Sequence, residues 1–171
     1  GLSNETAWGI MKFIMTSYRY NFSKPASIQN GYNLINRVFD ISNSEVSIRE
    51  NCGLIAYSPL AGGRLSGKYL NNTRPANSRY TLWPGRFSRH HTPRGEKAIL
   101  KYIEVAKKYN LNITDLSNAF VLSRPFVTSS IFGVTSLSQL KENLKCLKLN
   151  LTDEHFDEIE QIHIADPNPC V

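Results

Sequence analysis

The segment SPLAGGRLSGK, residues 58–68, has the composition of a loop that binds a phosphate group. Its glycines, among them Gly62 and Gly67, carry no side chain, so backbone N–H groups can approach an anion closely. Lys68 adds a positive charge to the same loop. The glycine spacing matches a GxxxxGK[ST] nucleotide loop, but Tyr69 stands in place of the Ser or Thr that holds magnesium. The pattern therefore favours a bound phosphate and excludes a nucleoside triphosphatase.

Each of the predicted strands ends in small or polar residues, and one of these ends also contains an aromatic residue, Tyr57. Ser, Asn and Gln both donate and accept hydrogen bonds, as a carboxamide ligand requires. Tyr57 offers an aromatic plane for stacking, although a half-buried core tyrosine is the alternative interpretation. Functional groups of a βα barrel lie at the carboxyl ends of its strands, so polar ends on one face indicate a site. The four predicted ends are Ser3-Asn4, Gln29-Asn30, Tyr57-Ser58 and Gly133 followed by Thr135.

A helix start is predicted directly after the last strand, within GVTSLSQLKEN at residues 133–143. Free amides and the helix dipole at such a start bind anions. Gln139, Glu142 and Asn143 lie within two turns of it and are candidates to contact an adenine or a ribose. The alternative interpretation is a solvated polar face opposite the leucines of the same helix.

Strand-like and helix-like segments alternate along the chain and give four βα units. Strands are predicted at residues 1–3, 25–30, 53–58 and 128–133. Alternation of this kind predicts an α/β fold with a parallel sheet and helical cover. A whole (β/α)8 barrel needs about 250 residues, so this chain has room for about half of one.

Helical periodicity is clearest over residues 94–109, where apolar residues recur at i, i+3, i+4 and i+7. Thr114 and Thr152 are the predicted N-caps of two later helices. Residues 61–93 have the composition of a long loop. Two further apolar stripes are predicted, one of Ile10, Phe13, Ile14 and Tyr18, the other of Leu137, Leu140, Leu144 and Leu147.

The composition, 171 residues with 41% hydrophobic and 20% charged, predicts one globular domain rather than a disordered chain. No apolar run reaches the length of a membrane span, and no signal peptide is visible. The three cysteines form no CxxC pair, and His90 and His91 have no ligand partners at metal spacing. We therefore expect free thiols in a reducing cytoplasm, no metal site and no Ser–His–Asp triad.

The net charge is +6, and much of the excess lies between Arg64 and Arg94. A solvated loop, a clasp over an anionic small ligand and a nucleic-acid surface are the three interpretations. No recognised nucleic-acid motif accompanies the basic residues, so we expect neither a nucleic-acid partner nor a membrane partner. The basic residues are Arg64, Lys68, Arg74, Arg79, Arg86, Arg89 and Arg94.

Four motifs of this chain resemble the aldo-keto reductases in order and spacing: GLSN, SIQNGYNLINR, LIAYSPLAGGRLSGKY and SSIFGVTSLSQLKEN. The resemblance covers almost the whole chain and is to the bacterial-type NADP-dependent branch, which is also similar to the potassium-channel β subunits. It implies the C-terminal half of a (β/α)8 TIM barrel, about four βα units. Residues 1–171 would form a single cofactor-binding domain, with 61–93 as a clasp-like loop.

The resemblance also implies a cofactor, NADP(H) rather than NAD(H), bound in an extended pose. The nicotinamide carboxamide would be held by Ser3, Asn4 and Gln29, and Tyr57 would stack on the nicotinamide ring. The pyrophosphate would be lined by Ser58, Leu60, Gly62 and Lys68, and Arg79 matches a clasp arginine. The adenosine and its 2′-phosphate would contact Gly133, Thr135, Gln139, Glu142 and Asn143. Glu142 departs from members that place an arginine near the 2′-phosphate.

The family's catalytic Asp, Tyr, Lys and His lie on its first four strands, whereas this chain resembles the family from the fifth strand onward. No catalytic residue is therefore assigned. The implied function is the NADP(H)-binding half of a reductase that transfers hydride to an aldehyde or ketone when the N-terminal half is present. The alternative is a non-catalytic NADP(H)-binding or interaction module from a split, truncated or degenerate gene. Exposed sheet edges predict pairing with a complementary half-barrel or self-association.

Overall fold

A computed structural model describes residues 1–85 and 88–171, so the loop residue Arg86 lies outside the described part. Its sheet has four strands, paired in chain order and all parallel. This arrangement confirms the predicted α/β fold and is what part of an aldo-keto reductase barrel would contain. The strands are β1 (Leu2–Ser3), β2 (Ser27–Gly31), β3 (Gly53–Tyr57) and β4 (Val127–Ile131).

Seven α-helices are described, and local capping explains where several of them begin. Thr6 and Thr92 accept hydrogen bonds from the backbone of Gly9 and Gly95, and Thr152 forms a capping box with His155. The helices are α1 (Ala7–Tyr20), α2 (Asn43–Arg49), α3 (Arg79–Leu82), α4 (Pro93–Lys108), α5 (Ile113–Leu122), α6 (Leu137–Asn143) and α7 (Asp153–Ala165).

The helices bury one face of the sheet more completely than the other. Ile28 pairs with Leu54, and both are fully buried in a core that includes Ile10 of α1 and Leu116 of α5. The opposite face carries less cover: Ser3 and Ser129 are exposed, and Gln29 and Ile55 are half-buried. Parallel sheets are normally covered on both faces. The described residues therefore cover one face of this sheet and leave the other largely accessible.

Residues 61–93 form a long, mainly irregular segment that will be called the clasp. The described part of it contains α3 and short 3₁₀ turns at Ala61–Ser66, Leu70–Asn72 and Ser88–His90. The predicted loop is thus broken into short helical turns. None of these turns exceeds six residues, because glycines and left-handed asparagines such as Asn71 interrupt them.

Three helical details were predicted wrongly. The N-cap of α5 is Asn112, whose Oδ1 accepts from the Thr114 backbone N–H at 2.8 Å, rather than Thr114 itself. In α1, Phe13 and Tyr18 are exposed, although Ile10 and Ile14 are buried as expected. The leucine stripe is also exposed at Leu137, Leu144 and Leu147, and its segment is divided into α6 and a separate 3₁₀ turn at Leu144–Lys148.

The C-terminal segment packs back onto the fold. Cys170 is 1% exposed, its N–H donates to the Ile35 carbonyl at 3.1 Å, and Asn168 Oδ1 accepts from Arg37 N. The Pro169 carbonyl accepts from the hydroxyl of Thr92, the N-cap of α4. These contacts tie the chain end to the junction between the clasp and α4.

Candidate functional site

The ring of Tyr57 lies across the carboxyl ends of three strands. Tyr57 ends β3, and its hydroxyl donates to Asn4 Oδ1, just beyond β1, at 2.8 Å. To reach Asn4 the ring must pass the end of β2, where Gly31 is the register partner of Tyr57. A Cβ at Gly31 would stand 3.2 Å from the ring. Glycine at 31 therefore leaves the room that the ring occupies.

Three residues predicted at the strand ends, Ser3, Asn4 and Gln29, are linked by hydrogen bonds beside this ring. The Asn4 N–H donates to the Gln29 carbonyl at 3.0 Å, and Asn4 Nδ2 donates to Ser3 Oγ at 3.1 Å. Asn4 itself adopts φ 54, in the left-handed region where asparagine is the commonest residue after glycine. The turn that follows β1 therefore aims an amide side chain at the tyrosine.

A cleft of about 930 Å³ extends from Tyr57 along the clasp to the segment after β4. A volume of this order holds a cofactor-sized molecule. It is lined by every predicted site residue except Ser3, Asn4 and Gln29; of these three, Asn4 contacts the lining residue Tyr57. The predicted residues in its lining are Tyr57, Ser58, Leu60, Gly62, Lys68, Arg79, Gly133, Thr135, Gln139, Glu142 and Asn143.

The loop after β3 carries backbone strain at the mouth of the cleft. Ser58 and Ala61 adopt φ values of 56 and 48, which cost energy in a residue with a side chain, and Gly62 follows with φ 67. The Ser58 carbonyl accepts from Nδ2 of the fully buried Asn33 at 3.0 Å, a contact that holds the first strained residue. Strain held in this way is typical of backbone that is shaped to approach a ligand.

The charge of the side chains that line the cleft differs between its two ends. Among the described lining residues the cations are Lys68 and Arg79, and both side chains are exposed. The far end contains the carboxylate of Glu142, which accepts from Asn112 Nδ2 at 3.1 Å, and the buried amide Asn143. The positive charge that an anion requires is therefore concentrated beside the strained loop.

Two backbone amides beside the helix start predicted after β4 are already hydrogen-bonded in this conformation. Gln139 Oε1 accepts from the Thr135 backbone N–H at 3.0 Å, and the Gln139 N–H donates to Ser136 Oγ. The helix that follows, α6, has seven residues, too few for a strong dipole. Thr135 and Gln139, both predicted to contact the adenosine, are hydrogen-bonded to each other across Ser136, the N-cap of α6.

A model of the Aldo/keto reductase family matches residues 1–164. The chain belongs to the aldo/keto reductase family. The match confirms the family resemblance drawn from the four sequence motifs, and it extends from before β1 to the last turn of α7.

Relatives of this aldo/keto reductase chain include named reductases. Protein tas of Escherichia coli (strain K12) is 40% identical over 163 residues, 95% of this chain and 47% of that protein. L-glyceraldehyde 3-phosphate reductase of the same strain is 33% identical over 145 residues, 81% and 41% of the two chains. A probable voltage-gated potassium channel subunit beta of Oryza sativa subsp. japonica is 29% identical over 173 residues, 98% and 52%. The chain spans about half the length of these curated relatives.

In this aldo/keto reductase chain, two residues beside Tyr57 were not predicted as site residues from the sequence. Gly31 gives the ring its room, and a glycine at a strand end is itself a signal of close approach. The Arg89 guanidinium, from the clasp, lies 5.6 Å from the centre of the Tyr57 ring, at cation–π distance. No local pattern relates residue 89 to residue 57, so this contact required the structure.

The base of the clasp contains a buried histidine. His90 is 2% exposed, and burial, followed by the positive charges of Arg89, Arg64 and Arg79, lowers its pKa to about 4. The imidazole is therefore neutral at physiological pH. Within the described ranges, no helix is long and apolar enough to cross a membrane, and no group of three His, Cys, Asp or Glu could hold a metal ion.

Proposed function

We propose that this chain is the cofactor-binding part of an NADP(H)-dependent aldo/keto reductase. The observation that carries the proposal is the Tyr57 ring, held across three strand ends by Asn4 and exposed to an elongated cleft. A flat heteroaromatic ring stacks on such a surface. The nicotinamide would lie there, and the rest of the cofactor would extend along the clasp.

The donor set of the cleft fits an extended dinucleotide. The amides of Asn4 and Gln29 and the hydroxyl of Ser3 supply both donors and acceptors for a carboxamide. The strained backbone at Ser58 and the adjacent cation of Lys68 suit a pyrophosphate. Leu60 and Gly62 would line the same phosphates, and Arg79 would close over them. The adenosine would contact Gly133, Thr135, Gln139, Glu142 and Asn143.

When bound, NADPH supplies a hydride for the carbonyl carbon of an aldehyde or ketone. The chain's own residues would orient the ring that carries it. Tyr57 fixes the plane of that ring, and the polar side chains at the ends of β1 and β2 fix its rotation in that plane. We propose that the proton donor and the rest of the substrate pocket belong to polypeptide outside these 171 residues.

Selectivity for NADP(H) over NAD(H) depends on the adenosine end of the cleft. A 2′-phosphate is recognised by cations, yet the described lining residues at the adenosine end include Glu142 and no lysine or arginine. Gln139 would have to release Thr135 before it contacts the cofactor. Parallel titrations with NADPH and NADH measure this selectivity, and we expect the two dissociation constants to differ less than hundredfold.

A second polypeptide segment would cover the accessible face of the sheet. Among the described residues, β1 and β4 each have no partner on the outer side, and large apolar side chains are exposed in α1 and at β4. We propose that a complementary half-barrel, of about the length by which the relatives exceed this chain, covers these surfaces. Self-association would be the result where that segment is absent. The apolar residues include Trp8, Phe13 and Tyr18 in α1 and Ile131 and Phe132 at β4.

The alternative function is a non-catalytic NADP(H)-binding module, and two assays separate it from the reductase. Titration with NADPH, followed by nicotinamide fluorescence, tests cofactor binding, and oxidation of NADPH with a reactive aldehyde tests turnover. We expect binding in both cases, and turnover only after a complementary half is added. Turnover by these 171 residues alone would contradict the location proposed for the proton donor, and binding without turnover after that addition would favour the module.

A further inference from the structure

A second, smaller cavity lies within the clasp and is separate from the proposed cofactor interactions. Its volume is about 150 Å³. Tyr69 lines both this cavity and the larger cleft, whereas Lys68 and Tyr57 line only the cleft. The described residues around the small cavity are Arg64, Tyr69, Asn72, Thr73, Arg74, Tyr80, Pro84, Gly85 and His91.

Two deeply buried polar groups in its wall lack hydrogen-bond partners among the described residues. Tyr69 is 2% exposed and Arg64 is 3% exposed, yet neither the Tyr69 hydroxyl nor Arg64 Nη2 makes a hydrogen bond. Buried polar groups are almost always satisfied, and each one left without a partner costs about 1–3 kcal/mol. None of the described residues satisfies them, and a ligand whose oxygens accept hydrogen bonds would.

The charge of this wall is positive on balance. Glu96 Oε2 lies 3.6 Å from Arg64 Nη2, too far for a hydrogen bond, and Glu96 Oε1 is already engaged by the Asn71 N–H at 3.0 Å. Arg74, an exposed residue of the clasp, adds a second cation to the same wall. The described lining thus contains two arginines, with one carboxylate beside Arg64, and this excess of positive charge favours an anionic occupant.

The remaining wall is aromatic. The rings of Tyr69 and Tyr80 meet edge to face at 4.6 Å, and His91 stands against Tyr80 with ring centres 6.4 Å apart. A cavity of about 150 Å³ with apolar walls has room for a molecule the size of benzene. A guanidinium and a hydroxyl together recognise a carboxylate, which accepts from both.

We propose that this cavity binds a small monocarboxylate whose apolar body contacts the tyrosines and whose oxygens accept hydrogen bonds from Arg64 and Tyr69. This site is independent of the cofactor proposal, because its ligand requires neither Tyr57 nor Lys68. Since all nine described residues of its lining belong to the clasp, a bound carboxylate would hold the clasp in one conformation.

The test is ligand-observed ¹⁹F NMR of the protein with 4-fluorobenzoate, using 4-fluorobenzamide as the uncharged control. We expect saturable binding of the acid and at least tenfold weaker binding of the amide. The variant Tyr69→Phe removes a hydroxyl without a partner, so it should fold normally and weaken 4-fluorobenzoate binding about tenfold. Tyr18→Phe, the same change at an exposed tyrosine of α1, is the matched control and should bind as the parent does.

Three results would overturn the proposal. Absence of 4-fluorobenzoate binding up to its solubility limit would mean that water alone satisfies the two buried groups. Equal binding of the acid and the amide would remove the role of charge. Loss of binding in Lys68→Ala, a residue that lines only the larger cleft, would place the acid in that cleft instead.

Discussion

The hydroxyl of Tyr57 donates a 2.8 Å hydrogen bond to Asn4, a residue 53 positions earlier in the chain. This one bond joins the end of the third strand to the end of the first. It fixes the ring over the second strand, where the chain has a glycine. A surface so defined is rigid enough to orient a planar ligand, which is why the functional proposal depends on it.

Removal of the Tyr57 ring should weaken NADPH binding more than removal of its hydroxyl. Stacking of a ring on an aromatic residue contributes about 1–3 kcal/mol, so Tyr57→Ala should raise the NADPH dissociation constant about tenfold or more. Tyr57→Phe keeps the ring and should change it about threefold or less. Fluorescence titration measures both. Equal losses in the two variants would show that the hydroxyl, rather than the ring plane, contacts the cofactor.

A methyl group at position 31 should displace the ring. The Cβ of Gly31→Ala would stand 3.2 Å from Tyr57 Cε2, so the ring must move by a few tenths of an ångström and its bond to Asn4 must lengthen. We expect NADPH binding to weaken several-fold with little loss of stability. Gly9→Ala in α1 is the matched control, since its Cβ displaces the flexible carboxylate of Glu5 and otherwise meets Thr6 Oγ1 at an ordinary 3.5 Å. Unchanged NADPH binding in Gly31→Ala would contradict the close fit.

Arg89 should compete with the cofactor for the ring of Tyr57. Its guanidinium lies 5.6 Å from the ring centre, and an exposed cation–π contact contributes about 0.5–1 kcal/mol. Arg89→Gln should therefore tighten NADPH binding about two- to fivefold, as judged by calorimetry at constant salt. Weaker binding would instead show that Arg89 holds the cofactor after it binds.

The buried His90 should make the protein less stable as the pH falls. Its pKa is about 4 in the folded chain, against about 6.5 when unfolded, so between these values the unfolded state binds more protons. Stability should therefore be lost as the pH drops from about 6.5 to about 4, by up to roughly 3 kcal/mol from this residue. Burial lowers the pKa of His163 as well, which adds a slope of the same sign.

Urea unfolding between pH 4.5 and pH 7.5 measures this effect. His90→Gln should flatten the dependence of the unfolding free energy on pH, while His163 keeps its own contribution in both proteins. His91→Gln, at the exposed neighbour, provides the same chemical change outside the buried position. If His90→Gln and the parent protein show equal slopes, the histidine is not buried in the folded state.

The spacing of apolar residues and the polar residues at the strand ends made much of the fold predictable from the sequence. The four strands, their parallel order and the helix over Pro93–Lys108 follow from the alternation of segments and from the apolar spacing of residues such as Ile99 and Tyr102. The cofactor residues were placed by family resemblance, and the structure brings most of them to one cleft. Their role in binding stays a prediction.

Where sequence prediction failed, the cause lies in what surrounds each residue. Phe13 and Tyr18 fit an apolar stripe, but no described element covers that side of α1. Thr114 has the chemistry of an N-cap, yet Asn112 stands two residues earlier and accepts the bond first. The contact between Arg89 and Tyr57 depends on how the clasp folds back, which no local pattern specifies.

The most direct test of the central claim is a titration of the folded protein with NADPH, repeated with the double variant Tyr57→Ala, Lys68→Ala. The account predicts saturable binding of one NADPH per chain, and its loss in a variant that keeps the parent's circular dichroism spectrum. Absence of binding by the folded parent, or equal affinity in the double variant, would contradict the proposed cofactor site.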